Sequence, residues 1–430
     1  MSGVGLIGLA VFAVGVLGSI ALHEVGHLVP AKKFGVRVTQ YMIGFGPTVW
    51  SRVRGETEYG FKGIPLGGYI RMVGMFPPRR TREGELVHSA TTTGPIQSLI
   101  EDARRTSSEE IAAGEEHRAF YQLSVPKKLV VMLGGPTMNL FLAAVLYGVA
   151  LVLLGVPQLT TTVDQVAECV PASVVDECTP QDPRSPAAEA GVQAGDQIVA
   201  VDGVGYGDWQ SVVDDVRGRS GEQVTLTVER DGRSIDLPMT VASSTIPSGT
   251  CADETTTVGF VGVSPGIAQV REPVTAVPER MWEFVSRSAV AVAAIPKKMV
   301  CVWNAAFNGS ERDPTGPVSV VGVGRFSVQV GEDEADWSWK LANWLTLLAG
   351  LNMALFLFNL IPLLPLDGGH VAGALYEGAR RQIAKLRGRP DPGPVDVARM
   401  LPVAYTVAFL LIGMSVLLIY ADLVNPITLN

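Results

Sequence analysis

The segment His23-Glu24-Val25-Gly26-His27 contains the residues whose types and spacing could do chemistry. On a helix, the two histidines lie one turn apart on one face, where both imidazoles can reach a single zinc ion. The glutamate between them can contact a water molecule bound to that ion. The spacing therefore predicts a zinc site with His23 and His27 as two of its ligands.

The helix that carries this segment is predicted to cross a membrane. Four uncharged runs each exceed the ~20 residues that a helix needs to span the hydrocarbon core. These runs are residues 1–22, 129–163, 341–366 and 400–421. Ionisable side chains are costly at the end of a lipid-buried helix, and they are functional there by default. The first run has no basic residue before it and no small-residue cleavage site after it, so we expect it to stay in the mature protein.

The composition also indicates a polytopic α-helical membrane protein. Of the 430 residues, 47% are hydrophobic and 18% charged, and the mean hydropathy is +0.28. An ordinary soluble domain has roughly 25% charged residues. The 34 basic and 42 acidic residues give a net charge of −8 without a dense basic block, which disfavours a nucleic-acid partner. No repeat with a period of about 20 to 50 residues is present, so a repeat array is excluded.

The distribution of charge predicts the orientation in the membrane. Connections 31–128 and 362–399 carry 15 and 6 basic residues, whereas connection 156–340 carries 13 basic and 26 acidic residues. Basic connections face the cytoplasm. We therefore expect the long acidic connection and both termini to lie outside.

All four cysteines fall in the predicted outer connection, where an oxidising compartment allows disulfides. We expect at least one disulfide among Cys169, Cys178 and Cys251. The favoured pair is Cys169 with Cys178, because they are only nine positions apart. Cys301 is expected to be a free thiol packed against apolar side chains.

Asp367 is the best candidate for the third protein ligand that a catalytic zinc requires. It follows the third uncharged run, and in the predicted orientation the first and third spans both end inside, so it lies at the depth of the histidines. His27 precedes Lys32 by five residues, which is ~7.5 Å along a helix. The metal should then lie just within the inner half of the bilayer. Taken alone, Asp367 is equally well interpreted as a helix-terminal cap.

The connections differ in character. Residues 36–72 alternate apolar and polar positions around glycine-rich turns, which predicts strands in short hairpins. Residues 76–117 are polar and rich in proline and arginine, and predict a partly mobile insertion. Residues 160–270 have a soluble composition, and the segment Ser185-Pro-Ala-Ala-Glu-Ala-Gly-Val-Gln-Ala-Gly-Asp196 resembles a bacterial PDZ domain. Residues 274–308 predict an interfacial helix on the outer leaflet, or alternatively a short helix packed on the outer domain.

These features together resemble the site-2 proteases, the M50-type intramembrane metalloproteases. They comprise HExxH in the first span, Leu366-Asp367-Gly368 after the third span, Gly-Phe-Gly and Pro-Leu-Gly-Gly-Tyr between the first two spans, and an intervening PDZ domain. Within the family, the chain is similar to bacterial regulator-of-sigma-factor proteases with one PDZ domain and four spans, of the actinobacterial kind.

The resemblance implies a residue set and a substrate class. It implies that His23, His27 and Asp367 bind Zn²⁺, that Glu24 is the general base, and that Asn359 helps to hold the scissile segment. It further implies that the strands of 44–72 form a membrane-dipping sheet that pairs with substrate near Gly67, Gly68 and Tyr69. The implied substrates are single-span membrane proteins, with anti-sigma factors as the class that the family suggests.

The expected architecture is four transmembrane helices, a membrane-associated β-hairpin region and an extracytoplasmic α+β PDZ domain. The expected segments are a first span with HExxH (1–35), the β region (36–75), a cytoplasmic insertion (76–126), a second span (127–157), the PDZ domain (158–270), an interfacial segment (271–340), a third span (341–366), a cytoplasmic loop (367–399) and a fourth span (400–423). The expected location is the cytoplasmic membrane, with the active site near its cytoplasmic side. Lipid and a PDZ peptide ligand are the other expected partners.

Two other functions are compatible with parts of the sequence. One is a PDZ-bearing membrane scaffold with a vestigial metal site, and the other is an anchored zincin that cleaves soluble substrates at the membrane surface. The remaining polar residues have simpler interpretations. His88 and His117 are expected to be solvated, His370 is either a partner of Asp367 or a loop residue, and Asn139 and Asn359 could both satisfy hydrogen bonds between helices.

Overall fold

The computed structural model describes residues 2–77, 107, 111, 114–171, 178–179, 181–248, 251, 254–310, 312–313 and 315–427. Most of the expected insertion at 76–126, including His88, lies outside the described residues. His117 is described and is exposed, as expected for a solvated histidine.

The helices and strands follow one another in three groups. The first group is α1 (Gly3–Lys33), β1 (Val38–Arg54), β2 (Thr57–Met72), two 3-10 turns (Glu116–Arg118 and Phe120–Gln122) and α2 (Val125–Val149), which continues as a π-helical turn (Ala150–Leu154). The second is β3 (Val156–Val166), α3 (Pro186–Ala190), β4 (Gln197–Val201), β5 (Val204–Gly205), α4 (Trp209–Arg217), β6 (Gln223–Arg230), β7 (Arg233–Thr240), β8 (Ala242–Ser248), β9 (Glu254–Phe260) and β10 (Val263–Val270). The third is a 3-10 turn (Val274–Ala276), α5 (Val277–Phe307), α6 (Val320–Glu332), α7 (Trp337–Leu360), α8 (Asp367–Leu386), a 3-10 turn (Val397–Met400) and α9 (Leu401–Val424).

Among the described residues, five helices are long and apolar enough to cross a membrane by length and composition. Four of them are α1, α2, α7 and α9, where the sequence predicts spans. The fifth comprises α5 with its preceding 3-10 turn, where the sequence predicts an interfacial helix. The chain is therefore a multi-pass membrane protein with a β domain between α2 and α5.

The backbones of α1 and α2 approach each other closely where glycines face glycines. A Cβ at Gly26 would collide with the carbonyl of Gly134, and a Cβ at Gly134 would collide with the carbonyl of Gly26. Small residues allow such close approach in lipid, where helices associate by packing and not by expulsion of water. Below this crossing, Leu28 and Ala31 of α1 form one buried cluster with Val131 of α2.

Strands β1 and β2 fold into four sheet segments. Residues 38–43 of β1 pair with 58–61 on one side and with 68–72 on the other, and the second half of β1, 48–54, pairs with 57–62. Irregular register marks the bend between the two halves of each strand. The segment 68–72 is thus an edge strand, because its second edge pairs with no described strand.

The second group forms a separate β domain. Its sheet has the order β10-β3-β4-β6-β7, and α4 packs against it through Trp209 and Val212. Asp208 caps α4 by accepting the backbone N–H of Ser211. The Arg230 guanidinium contacts the carboxylate of Asp196 and holds the pKa of that carboxyl below its usual range.

Two disulfides are present, and both involve cysteines between α2 and α6. Cys169 bonds to Cys178, as the sequence predicts. Cys251 bonds to Cys301, so the prediction of a free thiol at Cys301 is wrong. Sequence separation gave no sign of this pair, because the contact arises only when the end of the β8–β9 hairpin folds back onto the C-terminal part of α5.

Both ends of α5 contact C-terminal ends of other helices. Near its start, Phe284 lies against Tyr147 of α2, with ring centroids 5.7 Å apart. Near its end, Val302 packs against Leu418 of α9, and the amide of Asn425 donates to the carbonyl of Ala305. Helices α2 and α9 both begin beside α8, because Val125 lies against Gly378 and Val397, just before α9, lies against Gly373.

Candidate metal centre

Three side chains from two distant parts of the chain converge on one point. Asp367 Oδ2 lies 3.4 Å from His23 Nε2 and 3.3 Å from His27 Nε2. The two Nε2 atoms lie 3.3 Å apart. The described residues contain one such cluster of potential metal ligands. The structure therefore brings together the three residues that the sequence singles out.

The donor set fits zinc. Ligand atoms at ~2.0 to 2.1 Å in tetrahedral geometry stand about 3.3 Å apart, which matches the observed triangle. Asp367 Oδ2 is buried and has no hydrogen-bond partner among the described residues, although two ring nitrogens face it. A carboxylate oxygen buried in this way requires a cation or a proton. Three protein ligands also leave a fourth position open for water, as in catalytic sites.

Helix α2 fixes the orientation of both imidazoles. His27 Nδ1 lies 2.8 Å from the carbonyl oxygen of Val131, which can only accept, so Nδ1 carries the proton and Nε2 keeps its lone pair. His23 Nδ1 lies 3.1 Å from the amide of Asn139. Gly135 lies between these two contacts, and a Cβ there would collide with both rings.

Asp367 is the first residue of α8, and its position follows from the chain reversal after α7. The alternative role of a helix cap finds no support, since no side-chain capping hydrogen bond is present at this helix start. Gly368 and Gly369 press against the backbone of the turn 360–364, where a Cβ would collide with main-chain atoms. These glycines let the turn fold tightly enough to direct Asp367 toward α1.

Glu24 is buried and faces the edge strand 68–72. The backbone of Ile70 is hydrogen-bonded to its carboxylate, and Gly68 lies directly against its side chain. Gly67, which precedes this contact, has a φ of +102°, a conformation that favours glycine. Tyr69 stacks on Phe45 with ring centroids 6.1 Å apart. The general-base candidate thus lies between the metal cluster and the strand 68–72, whose outer edge pairs with no other described strand.

Two other residues were singled out by the sequence. Asn359, next to last in α7, is partly exposed, and its amide makes no hydrogen bond to any residue that the structure describes. Asn352, earlier in the same helix, makes an interhelical hydrogen bond to Ser19 at 2.9 Å. His370 lies in the first turn of α8, three residues after Asp367.

Comparison with known proteins places the chain in a family. The model of Peptidase family M50 matches residues 11–390. The chain belongs to this family.

Zinc metalloprotease Rip1 of Mycobacterium tuberculosis (strain ATCC 25618 / H37Rv) is 36% identical over 438 residues, covering 98% of each chain. Rip1 of Mycolicibacterium smegmatis is 36% identical over 442 residues with the same coverage. Zinc metalloprotease RasP of Geobacillus kaustophilus is 24% identical over 407 residues, covering 84% of this chain and 87% of the relative. The prediction of a zinc metallopeptidase of the site-2 protease type is confirmed.

Proposed function

We propose that the chain is a zinc-dependent intramembrane endopeptidase that cleaves the transmembrane segments of single-span membrane proteins. The observation that carries this proposal is the convergence of His23, His27 and Asp367 at the ends of apolar helices. Beside this cluster lie a buried glutamate and an unpaired strand edge. An enzyme for membrane-embedded substrates needs all of these in one place.

The roles of the polar residues follow from their positions. His23, His27 and Asp367 would hold the zinc ion, which when bound supplies a Lewis acid that acidifies water and polarises the scissile carbonyl. Glu24 would take the proton of the attacking water and pass it to the leaving amide nitrogen. Its burial against Gly68 keeps bulk solvent away from this transfer.

The edge strand 68–72 would bind the unwound substrate. A peptide in lipid must satisfy each backbone N–H and C=O, and a strand edge replaces the bonds that an opened helix loses. Gly67, Gly68 and Tyr69 would form this binding edge, and the unbonded amide of Asn359 would hold the scissile segment. Exposed apolar side chains on the same sheet, at Phe45, Val49, Trp50, Phe61 and Ile64, fit a sheet that dips into lipid.

We infer four spans, with α5 as an interfacial helix. Cys301 lies 24 residues after the start of α5, or ~36 Å along the helix, yet it bonds to Cys251 of the β domain. A spanning α5 would carry Cys301 to the opposite side from that domain. The contacts of both its ends with the C-terminal ends of α2 and α9 also favour a helix that stays on one side.

The β domain would be an extracytoplasmic PDZ domain. A cavity of about 240 Å³ lies between α4 and residues 258–265, beside the outer edge of β10. A peptide could add to this edge as a strand, with its side chains against α4. Such a domain would filter substrates by size, admitting those whose outer portion has already been trimmed.

The proposed location is the cytoplasmic membrane, with the β domain outside and the metal centre near the cytoplasmic side. Lys32 and Lys33 in the last turn of α1 support this orientation. Cleavage there would release cytosolic fragments, and the family resemblance makes anti-sigma factors the first substrates to test.

The two rival functions are less well supported. A vestigial scaffold would not need three ligand atoms at tetrahedral spacing. An anchored zincin for soluble substrates would need an open surface site, whereas His27 and Glu24 are 4% and 8% exposed.

The test compares Glu24→Gln with the wild type and with Glu279→Gln, an exposed glutamate on α5. The three proteins are reconstituted in proteoliposomes with a single-span substrate, and cleavage and zinc content are both measured. We expect Glu24→Gln to retain zinc and lose cleavage, and Glu279→Gln to match the wild type. The inactive variant can then trap natural substrates for mass spectrometry. Cleavage by Glu24→Gln at the wild-type rate, or a wild type without zinc, contradicts the proposal.

A further inference from the structure

Asn139 is a polar residue in the middle of α2 whose side chain contacts one of the two histidines. Its side chain is fully buried, and its amide nitrogen is placed 3.1 Å from His23 Nδ1. Its Oδ1 atom is buried and has no hydrogen-bond partner among the described residues. Turning the amide over would bring its nitrogen to the same position, so this atom does not decide between the two orientations of the amide, and the form of His23 does.

The two orientations of the amide demand different forms of His23. If Nδ2 donates, His23 Nδ1 must be the acceptor, and the ring proton moves to Nε2, where it blocks the lone pair that faces Asp367. If the amide is turned over, Oδ1 accepts the proton of Nδ1 and Nε2 is free. The amide oxygen and nitrogen occupy nearly equivalent positions, so a 180° rotation of the Asn139 side-chain amide exchanges them without any other movement.

We propose that Asn139 is a positioning residue that accepts the Nδ1–H of His23 and directs Nε2 of that ring to the metal. This inference rests on the proposed zinc site. It gives His23 the same support that Val131 gives His27, because in both cases an oxygen on α2 accepts the Nδ1 proton. Partners of this kind fix the ring orientation and raise the basicity of the ligating nitrogen.

The geometry of α2 supports this assignment. Gly135, one turn before Asn139, has no side chain where both imidazoles stand. The opposing glycines Gly26 and Gly134 bring the helices close enough for an amide as short as that of asparagine to reach the ring. The three glycines and Asn139 thus together determine where the two imidazoles lie.

The test measures zinc affinity by competition with a chromophoric chelator in Asn139→Leu, Asn139→Asp and Asn352→Leu. Asn352 is a matched control, because it is also a fully buried asparagine in an apolar helix but bonds Ser19 instead of a histidine. The absorption spectrum of the cobalt-substituted protein reports the ligand geometry independently of cleavage.

We expect Asn139→Leu to weaken zinc binding about 10- to 100-fold and to change the cobalt spectrum. Asn139→Asp should keep the wild-type affinity or raise it, because a carboxylate accepts but does not donate. Asn352→Leu should bind zinc within about threefold of the wild type. If Asn139→Leu does not fold, the aspartate variant decides, since a donating role for Asn139 predicts loss of affinity there.

Wild-type affinity in Asn139→Leu, or strong loss in Asn139→Asp, overturns the inference while the zinc site stands. A wild-type protein that binds no zinc instead overturns the proposed function. The two failures are therefore distinguishable in one set of titrations.

Discussion

Gly135 shows how a single missing side chain shapes the proposed metal centre. A Cβ at this position would collide with the imidazole of His27 and would lie 2.7 Å from Cε1 of His23. Because both rings are held between α1 and α2, neither can retreat without losing its bond to Val131 or Asn139. Glycine here is a requirement of the site and not of the helix, whose stability it lowers.

We therefore predict that Gly135→Ala lowers zinc affinity at least tenfold, although alanine is the better helix former. The matched control is Gly18→Ala in α1, where a Cβ meets no atom within 4 Å. That control should bind zinc within about twofold of the wild type. Chelator competition on both variants is the measurement, and equal affinities would show that the rings adjust without cost.

The sequence revealed those site residues whose relation is local. His23, Glu24 and His27 lie on one helical turn, so their spacing alone predicts their geometry. Asp367 required the inferred orientation of two spans. Asn139 received only the interpretation of a residue that joins helices, because a polar residue in a span has many potential partners. A glycine one turn before it, in a chain with HExxH, was the signal that could have indicated its role.

A buried ion pair between Lys128 and Glu377 connects α2 to α8. Lys128 Nζ lies 2.8 Å and 3.0 Å from the two carboxylate oxygens of Glu377, and both side chains are almost fully buried. Glu377 also accepts the backbone N–H of Val395 and contacts Arg381. Because α8 begins at Asp367, this pair contributes to the placement of the proposed third metal ligand.

We predict that Glu377→Gln destabilises the protein strongly, since it leaves the Lys128 charge buried without its partner. Breaking a buried pair costs about 3 to 5 kcal/mol. The double variant Lys128→Met/Glu377→Leu should regain part of this stability, because it removes both charges. Arg287→Ala, which disrupts an exposed pair with Glu283, is the control and should change little. Tryptophan fluorescence during thermal unfolding in detergent measures all three, and a similar Tm for Glu377→Gln and Arg287→Ala would refute the anchoring role.

At the scale of elements, composition alone does not decide whether α5 spans the membrane. The spans α1, α2, α7 and α9 follow from uncharged runs, whereas α5 is a single helix of 31 residues with charges in its sequence. Its length makes it compatible with a span, and only its tertiary contacts argue for a position on one side. The Cys251–Cys301 bond is the strongest of these contacts, and neither cysteine's neighbours in the sequence predict it.

We predict two disulfides by mass mapping of nonreduced peptides, with Cys301→Ser lowering the Tm more than Cys178→Ser. The bond at Cys301 closes a separation of 50 residues and that at Cys178 a separation of nine. The chain-entropy model gives about 4 and 2.5 kcal/mol for loops of these lengths. Detection of Cys301 as a free thiol would remove the main support for an interfacial α5. A larger effect of Cys178→Ser would show that loop length does not determine the ranking.

At the scale of the whole molecule, two obstacles oppose cleavage of a transmembrane helix, and the proposed metal centre and the strand edge would each overcome one of them. A peptide bond in a transmembrane helix is shielded by the backbone hydrogen bonds of that helix and by the absence of water. Each backbone group left unsatisfied in lipid costs several kcal/mol, so the opening of one turn precedes any gain from the active site. In the proposed mechanism, the edge at 68–72 would restore main-chain bonds only after the turn has opened, and Glu24 beside it would act only on an extended segment.

Substrate choice should therefore depend on residues that weaken the substrate helix more than on the side chains that flank the scissile bond. Glycine and proline are ~1 and ~3 kcal/mol less favourable than alanine in a helix interior. Since 1.4 kcal/mol corresponds to a factor of ten, replacing a proline in the inner half of the substrate span with leucine should slow cleavage more than tenfold, and replacing a glycine should slow it about fivefold. The measurement is a substrate series in detergent-free proteoliposomes, in which one proline or glycine is then restored at varied depth. Restoration in the inner half should recover the rate, and restoration in the outer half serves as the control. Cleavage that followed flanking side-chain identity and ignored helix breakers would show that unwinding is not the selective step, and strand addition at 68–72 would lose its physical motive.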